Sequence, residues 1–238
     1  MKLDTICNCD CLDGMRDIPT GSVDLIVTDP PYDLLGSRSV SDYSGAGAFG
    51  KMGRAYHGAI ASAGLAGGIT EEYLLKFERV MKATNIYLFC NKNQLRMYFN
   101  FYANKNCDLL VWHKLNPIPT VNGKYLSDIE YIFFARDKGV NLGGNYSTLS
   151  KVYESNVNKK DAELYGHPTI KPLPLVRRLI LNSSKACDVV LDPFLGSGTT
   201  AVACVRENRH FLGFEINKTY YDIAQRRIDA VKRQKTLF

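Results

Sequence analysis

The chain has 238 residues, of which 45% are hydrophobic and 23% charged, an ordinary composition for a globular protein. This length suffices for one large domain or two small ones. No apolar run approaches the roughly 20 residues that a membrane helix needs, and the net charge of +6 permits a polyanionic partner without requiring one.

The cysteines and the first residues indicate a reducing compartment and no metal site. Residues 1–5 lack the basic and then apolar pattern of a signal peptide, so we expect a cytoplasmic protein. The chain has 7 cysteines, an odd number that favours free thiols. Cys7, Cys9 and Cys11 alternate, and no second cluster has the C-x2-4-C spacing of a zinc site, so we predict no bound metal.

The first predicted elements lead to a tetrapeptide that ends a strand. Residues 3–7 have the pattern of a strand, 12–18 that of a short helix, and the apolar run 23–28 that of a buried strand. Residues 29–32, Asp-Pro-Pro-Tyr, end this last strand abruptly. Open α/β proteins bind ligands at the carboxyl ends of their strands. A carboxylate, free carbonyls and an aromatic ring there suit a planar group that carries an –NH2, although an ordinary strand-ending turn is the alternative.

Residues 34–68 differ in character from the rest of the chain. They contain nine glycines and few large aliphatic residues. Such a segment buries too little apolar surface to offset the ordering of its backbone, so we predict a mobile loop. Long loops inside a domain are usually functional. The basic residues Arg38, Lys51 and Arg54 fit a lid or a clamp on nucleic acid, and a passive insertion is the alternative.

The middle of the chain alternates helices and strands. Apolar periodicity predicts helices over 70–82, which Thr70 caps, and 93–103, and strands over 85–91, 108–113 and 129–135. The last of these strands should run antiparallel to a neighbour, because the connection before it holds only turn residues.

The remaining elements follow a polar segment, 137–166, that has no clear period and forms a second candidate contact region. A helix is predicted over 173–183, and strands over 188–191 and 210–214. A helix follows each of these strands, and Asn217 should cap the last helix, which extends to about residue 232.

Residues 189–200 predict a nucleoside-binding turn. They read as a strand, a glycine turn and the start of a helix, where the backbone can approach a ligand closely and free N–H groups attract a polar group. No lysine follows the glycines, which argues against a phosphate loop, and the spacing is not G-x-G-x-x-G. Glu215 ends the next strand, where an acid commonly accepts hydrogen bonds from ribose. The pattern favours an adenosine-type ligand on a doubly wound sheet.

Together these stretches resemble the DNA amino-methyltransferases, S-adenosylmethionine enzymes that methylate an exocyclic nitrogen. Residues 29–32 are similar to their catalytic motif and residues 192–199 to their methionine-binding loop. The catalytic motif precedes the cofactor loop, as in the circularly permuted β class. The resemblance implies one Rossmann-like α/β methyltransferase domain over 1–238, with a mixed seven-stranded sheet that has one antiparallel strand. It also implies a short target-recognition segment at about 137–166.

The resemblance assigns roles to individual residues. The implied catalytic residues are Asp29, Pro30, Pro31 and Tyr32. The implied cofactor-binding residues are Asp10, Cys11, Asp29, Thr169, Lys171, Asp192, Phe194, Gly196, Ser197, Gly198, Thr199, Glu215 and Asn217. The implied contacts to the target base or DNA are Tyr32, Trp112, Lys114, Asn116, Arg38, Lys51 and Arg54. The early tetrapeptide and the late glycine turn should share a cleft wide enough for a purine.

The implied reaction is transfer of a methyl group from S-adenosylmethionine to N6 of a flipped adenine in double-stranded DNA. N4-cytosine methylation uses the same machinery, and Asp rather than Ser at position 29 favours adenine. Methylation of RNA or of protein is less expected from the motif order. A DNA-binding protein with a retired methyltransferase fold is the remaining alternative. The family suggests a prokaryotic or phage origin, and a homodimer and a cognate restriction endonuclease as partners.

Overall fold

The computed structural model describes residues 2–33, 68–117, 125–157 and 170–236, and the strands in these ranges form one sheet. The strands are β1 (Thr5–Cys7), β2 (Leu25–Thr28), β3 (Asn85–Cys90), β4 (Asn106–Lys114), β5 (Ile129–Arg136), β6 (Val152–Ser155), β7 (Val189–Asp192) and β8 (His210–Phe214). The helices are α1 (Cys11–Gly14), α2 (Glu71–Val80), α3 (Lys92–Phe101), α4 (Leu173–Ser183), α5 (Thr199–Arg206) and α6 (Lys218–Thr236), with a 3-10 turn at Met15–Asp17. Among these helices none combines the length and the apolar character that crossing a bilayer demands.

The sheet has the order β1-β8-β7-β2-β3-β5-β4-β6, and β5 runs antiparallel to both of its neighbours. The other described strand pairs are parallel. The predicted α/β class with one antiparallel strand is therefore confirmed. The predicted number of seven strands was wrong, since the described sheet has 8 strands.

The additional strand is β6, which pairs in parallel with the end of β4. It lies within the polar segment 137–166, in which no period was visible in the sequence. As the last strand of the sheet, β6 has no fully buried residue, and its side chains alternate only between exposed and half-buried. An edge strand of this kind carries too few apolar residues to be found by its hydrophobic pattern.

Helices cover both faces of the sheet. Alternate residues of a strand point to opposite faces, and β2 shows the consequence clearly. Ile26 packs in a core with residues of α1, α2 and α3, whereas Leu25 and Val27 pack in a second core with residues of α4, α5 and α6. Burial on both faces explains why all 4 residues of β2 are buried and why the strand lacks polar alternation.

The chain leaves β2 and β7 in opposite directions. From β2 it passes through α2 to β3 on one side, and from β7 through α5 to β8 on the other. Because β2 and β7 are neighbours and parallel, their carboxyl ends meet where the two crossovers diverge. Such a switch point opens a crevice at the carboxyl edge of a doubly wound sheet.

Of the two predicted helix caps, one makes capping hydrogen bonds and the other does not. Asn217 caps α6 as predicted, because its Oδ1 accepts hydrogen bonds from the N–H groups of Thr219 and Tyr220. Thr70 occupies the N-cap position of α2, but its side chain makes no capping hydrogen bond to the described residues. The sequence also contains an unpredicted capping box, in which Asn91 and Gln94 satisfy each other's backbone N–H groups at the start of α3.

We predict that Gly14→Ala destabilises the protein. A Cβ at this position would lie 2.2 Å from Cε1 of Phe214, so the buried ring at the end of β8 must move. Overpacking of this kind costs about 1–3 kcal/mol. The free energy of unfolding, measured by urea denaturation, should fall by that amount. Gly143→Ala is the matched control, because its nearest contact would be an ordinary 3.7 Å. Equal stability of the two variants would contradict the prediction.

Candidate active site

A buried hydrogen bond joins the ends of β2 and β7. The hydroxyl of Thr28 donates to Oδ1 of Asp192 at 2.6 Å, across 164 positions of sequence. The N–H of Phe194 donates to the same oxygen at 3.1 Å. Burial raises the pKa of Asp192 to about 6, although these hydrogen bonds and one from Thr200 act in the opposite direction. The two sequence motifs are therefore in contact through the residues that end their strands.

A cleft opens beside this contact. Val27, Thr28 and Asp29 line one part of it, and Asp192, Phe194, Gly196 and Ser197 line another. Ile170 and Lys171, which precede α4, also line the cleft. The structure thus brings Asp29, the first residue of the early tetrapeptide, and the late glycine turn to one cleft, as the sequence led us to expect.

Asp29 has one engaged and one free carboxylate oxygen. Its Oδ2 accepts a hydrogen bond from Nζ of Lys171 at 2.5 Å. Its Oδ1 is buried and accepts no hydrogen bond from the described residues. Burial raises the pKa of this carboxyl; Lys171 lowers it and the negative charge of Glu130 raises it further. A buried acceptor without a donor is costly for a folded chain, so Oδ1 has the character of a binding group.

Glu130 connects the residues around Asp29. Its Oε1 accepts a hydrogen bond from the Tyr32 hydroxyl at 2.5 Å and lies 2.8 Å from Nζ of Lys171. Its Oε2 lies 2.8 Å from Nζ of Lys114. Burial acts to raise the pKa of Glu130, but the two lysines outweigh it and lower the pKa to about 2. Glu130 is therefore an anion that holds three donors in fixed positions.

The turn formed by residues 29–33 is held from behind by the start of α3. Nε2 of Gln94 donates to the carbonyl of Pro31 at 3.0 Å, and Nδ2 of Asn91 donates to that of Asp33 at 2.7 Å. The fixed φ of the two prolines adds to this stiffness. Nζ of Lys171 lies 5.6 Å from the centre of the Tyr32 ring. These contacts orient the carboxylate and the ring together.

The glycine turn after β7 is also tightly supported. Gly198 has a φ of +86°, and a Cβ there would lie 2.9 Å from Cβ of Ala224 in α6, so only glycine fits without strain. The guanidinium of Arg227, also in α6, is buried and donates to the carbonyl of Ser197 at 2.6 Å. The helix behind the turn therefore fixes the path of its backbone.

Glu215 ties the end of β8 to the glycine turn. Its two oxygens accept hydrogen bonds from the N–H groups of Gly196 at 2.8 Å and Asn217 at 2.7 Å. Burial raises the pKa of Glu215 to about 7, although these two hydrogen bonds lower it. Asn217, which we predicted to bind the cofactor, uses its side-chain oxygen to cap α6.

The turn after β1 lies next to Glu215. β1 pairs with β8, and Nδ2 of Asn8 donates to the carbonyl of Glu215 at 2.7 Å. Asp10 caps α1 by accepting a hydrogen bond from the N–H of Leu12 at 2.7 Å, and Cys11 is buried. The predicted adenine-binding turn and the predicted ribose-binding acid are thus neighbours.

Trp112, Lys114 and Asn116, which we predicted to contact the target base or DNA, lie in the last residues of β4 or just after it. Nε1 of Trp112 donates to the Ser155 hydroxyl at 2.9 Å, and Nζ of Lys114 lies 5.0 Å from the Trp112 ring. Oδ1 of Asn116 accepts a hydrogen bond from the N–H of Val157 at 2.6 Å. The predicted residues Arg38, Lys51, Arg54 and Thr169 lie outside the described residues. The roles assigned to these residues stay predictions.

Sequence reasoning missed Glu130 and the ion pairs of Lys171. A signal for Glu130 was present: it is an acidic residue at the start of a run that is otherwise apolar. Because β5 is antiparallel, its first residues lie at the edge where β3 and β4 end, and Glu130 is opposite Trp112. A polar residue at the start of an antiparallel strand therefore indicates a site at this edge, just as polar residues at the ends of parallel strands do.

The chain matches a family of known enzymes. The family model described as "DNA methylase" matches residues 23–226. A type II methyltransferase of Haemophilus parainfluenzae, M.HpaI, is 30% identical over 259 residues, which cover 94% of this chain and 74% of the relative.

Two solved structures show the same fold. The complex of M1.HpyAVI with SAM has a TM-score of 0.67 at 24% identity and covers 94% of this chain and 98% of its own. The PvuII DNA methyltransferase, described as cytosine-N4-specific, has a TM-score of 0.66 at 14% identity, covering 97% and 91%. The Rossmann-like methyltransferase fold expected from the sequence is thereby confirmed.

We predict that Glu215 makes stability fall as the pH rises. Its folded-state pKa of about 7 lies above the ordinary 4.5, so the folded chain binds more protons than the unfolded chain between these values. Stability therefore decreases as the pH increases through this interval. Glu215→Gln does not titrate, so its melting temperature should rise relative to that of the wild type between about pH 5 and about pH 8.

The control for this measurement is Glu71→Gln, which makes the same change on the exposed first turn of α2. The difference in melting temperature between this variant and the wild type should be flat over the same range. A flat difference for Glu215→Gln as well would show that its carboxyl is not desolvated in the folded chain.

Proposed function

Because the chain belongs to the DNA methylase family, we propose that it transfers a methyl group from S-adenosylmethionine to N6 of an adenine in double-stranded DNA. The observation that carries the proposal is the buried Oδ1 of Asp29, an acceptor without a described donor, in the cleft that the glycine turn also lines. An exocyclic amino group offers the two N–H donors that such a site lacks.

The residues of the cleft fit the proposed cofactor. Bound there, S-adenosylmethionine supplies a methyl group on a positively charged sulfur. Asp192 contributes an acidic side chain to the lining, and its negative charge attracts the positive sulfur at short range. Gly196 and Ser197 line the cleft, and we assign the methionine end of the cofactor to this part of the turn, with Lys171 in the same lining. Thr169, which we also assign to the cofactor, lies outside the described residues. The position of Glu215 suits the ribose and that of Asp10 the adenine.

We assign Asp29 the role of activating the target nitrogen. The lone pair of an adenine amino group is delocalised into the ring, which makes the nitrogen a poor nucleophile. A hydrogen bond from this amino group to Oδ1, with a second to the Pro30 carbonyl, favours a tetrahedral nitrogen and localises the lone pair. The turn is rigid before the base arrives, so this interaction requires little reorganisation in the transition state.

The target base must leave the duplex, because its amino group is otherwise paired. Flipping costs a few kcal/mol, and stacking on an aromatic side chain offsets part of that cost. The Tyr32 ring is only half-buried and is oriented by its hydroxyl, so we assign the stacking to it. Trp112 and Lys114 are assigned to the wall of the base pocket.

A second candidate is methylation of cytosine at N4. It is supported by the fold likeness to the cytosine-N4-specific PvuII enzyme. Asp at position 29, by the family resemblance, favours adenine. Mass analysis of nucleosides from a host that expresses the chain distinguishes the two, since it detects either N6-methyladenine or N4-methylcytosine. A homodimer, a cytoplasmic location and a cognate restriction endonuclease are further proposals by analogy with the family.

We predict that Asp29→Ala abolishes methyl transfer and leaves S-adenosylmethionine binding within about threefold of the wild type. The alanine removes the acceptor for the amino group, and the glycine turn and Glu215 are untouched. Transfer of labelled methyl groups to mixed-sequence DNA and calorimetric titration measure the two properties.

Asp222→Ala is the control, because this aspartate is half-exposed on α6 and pairs only with the neighbouring turn of its own helix in the described chain. It should leave both properties unchanged. Persistent turnover in Asp29→Ala would rule out the assigned mechanism. Absence of any transfer by the wild type, on DNA free of prior methylation, would rule out the function.

A further inference from the structure

We propose that Glu130 is a positioning residue for the reaction. It accepts the hydrogen of the Tyr32 hydroxyl and one hydrogen of the Lys171 ammonium, and thereby keeps Oδ1 of Asp29 free for the target amino group. This inference rests on the proposed function and deepens it. No motif of the sequence analysis included Glu130, and the proposed reaction assigns it no contact with the base or with the cofactor.

The Tyr32 hydroxyl can donate only one hydrogen bond. A phenol has one hydrogen, and the Tyr32 hydroxyl gives it to Oε1 of Glu130 at 2.5 Å. The Asp29 carboxyl lies close enough to Tyr32 that its negative charge contributes to the raised pKa of the phenol, after burial. If Glu130 were not an acceptor, Oδ1 of Asp29, a buried acceptor without a donor among the described residues, would be open to this hydroxyl. Glu130 therefore competes with Asp29 for the hydrogen of Tyr32.

Lys171 contacts both carboxylates. Its Nζ lies 2.5 Å from Oδ2 of Asp29 and 2.8 Å from Oε1 of Glu130, and the residue is only 8% exposed. An ammonium has three hydrogens to donate. With Glu130 present, these hydrogens are divided between two carboxylates. Without the charge of Glu130, the ammonium would turn fully to Asp29 and occupy both of its oxygens.

Glu130 is itself held rigidly. Lys114 engages its other oxygen, Oε2, at 2.8 Å. The backbone of Glu130 is held in β5 opposite Trp112, and the residue is 8% exposed. A buried side chain with both oxygens engaged has little rotational freedom. It can therefore fix the direction in which its donors point.

The decisive experiment compares Glu130→Gln, Tyr32→Phe and the double variant. Glu130→Gln keeps the shape, removes the charge and leaves one acceptor oxygen for the donors of Tyr32, Lys171 and Lys114, so Tyr32 and Lys171 should turn to Asp29. We expect kcat for DNA methylation to fall by about 10–100-fold, the usual effect of losing a supporting partner. The Kd for S-adenosylmethionine should stay within about threefold.

Tyr32→Phe alone should be mild, since the ring remains and Oδ1 of Asp29 stays free. In the double variant the competing hydroxyl is absent, so Tyr32→Phe should restore part of the kcat that Glu130→Gln loses. A merely structural role of Glu130 predicts no such rescue, because two structural defects add or worsen.

Glu207→Gln is the matched control, since the side chain of this glutamate is also largely buried and is ion-paired with Arg177. Glu207 lies at the end of α5, whereas the glycine turn lies at the start of that helix. It should leave kcat unchanged even if its melting temperature falls. Should Glu130→Gln fail to fold, Glu130→Asp decides: it keeps the charge but is one methylene shorter, which withdraws the oxygen that both Tyr32 and Lys171 contact, and kcat should still fall.

Each outcome has one meaning. A wild-type kcat in Glu130→Gln or, where that variant does not fold, in Glu130→Asp overturns the inference and leaves the proposed function intact. A double variant no faster than Glu130→Gln overturns it as well. If the wild type itself transfers no methyl group, the proposed function fails, and the inference fails with it.

Discussion

The parallel pairing of β2 with β7 is the constraint on which the site depends. It brings the carboxyl ends of the two strands together, and the hydrogen bond between Thr28 and Asp192 links them. The tetrapeptide begins directly after Thr28, and the glycine turn begins directly after Asp192. Two stretches that are distant in sequence therefore line one cleft because of the strand order, and neither stretch forms the cleft alone.

The antiparallel strand β5 supplies what the parallel strands cannot. Parallel strands bring only their carboxyl ends to the functional edge, whereas β5 brings its start, with Glu130. Lysines and carboxylates then alternate in the order Lys114, Glu130, Lys171, Asp29. Buried ion pairs contribute little net stability, because their attraction is largely offset by desolvation. Their value here is orientation, since each charge limits where the next one can point.

Most helices and strands could be predicted from the sequence, but the long-range contacts could not. The helix over 173–183 and the strand over 210–214 were found with their observed bounds, because strong apolar periodicity and nearby turn residues mark them. β6 was missed because an edge strand needs no apolar pattern. The partners of Lys171 were missed for another reason: its ion pairs join the approach to α4, the turn after β2 and the start of β5, and no local pattern encodes that meeting. The family resemblance gave the residue a role but not its contacts.

The hydrogen bonds of Glu215 have a consequence for the speed of ligand exchange. They fasten the end of β8 to the N–H groups of Gly196 and Asn217 in the chain as it stands. A ligand that arrives in this cleft finds the loop already shaped, so little conformational entropy is lost when it binds. The same holds on departure, because this turn need not unfold before the spent ligand leaves. A pocket preformed in this way suits an enzyme that must exchange one nucleoside-bearing ligand for another in every catalytic cycle.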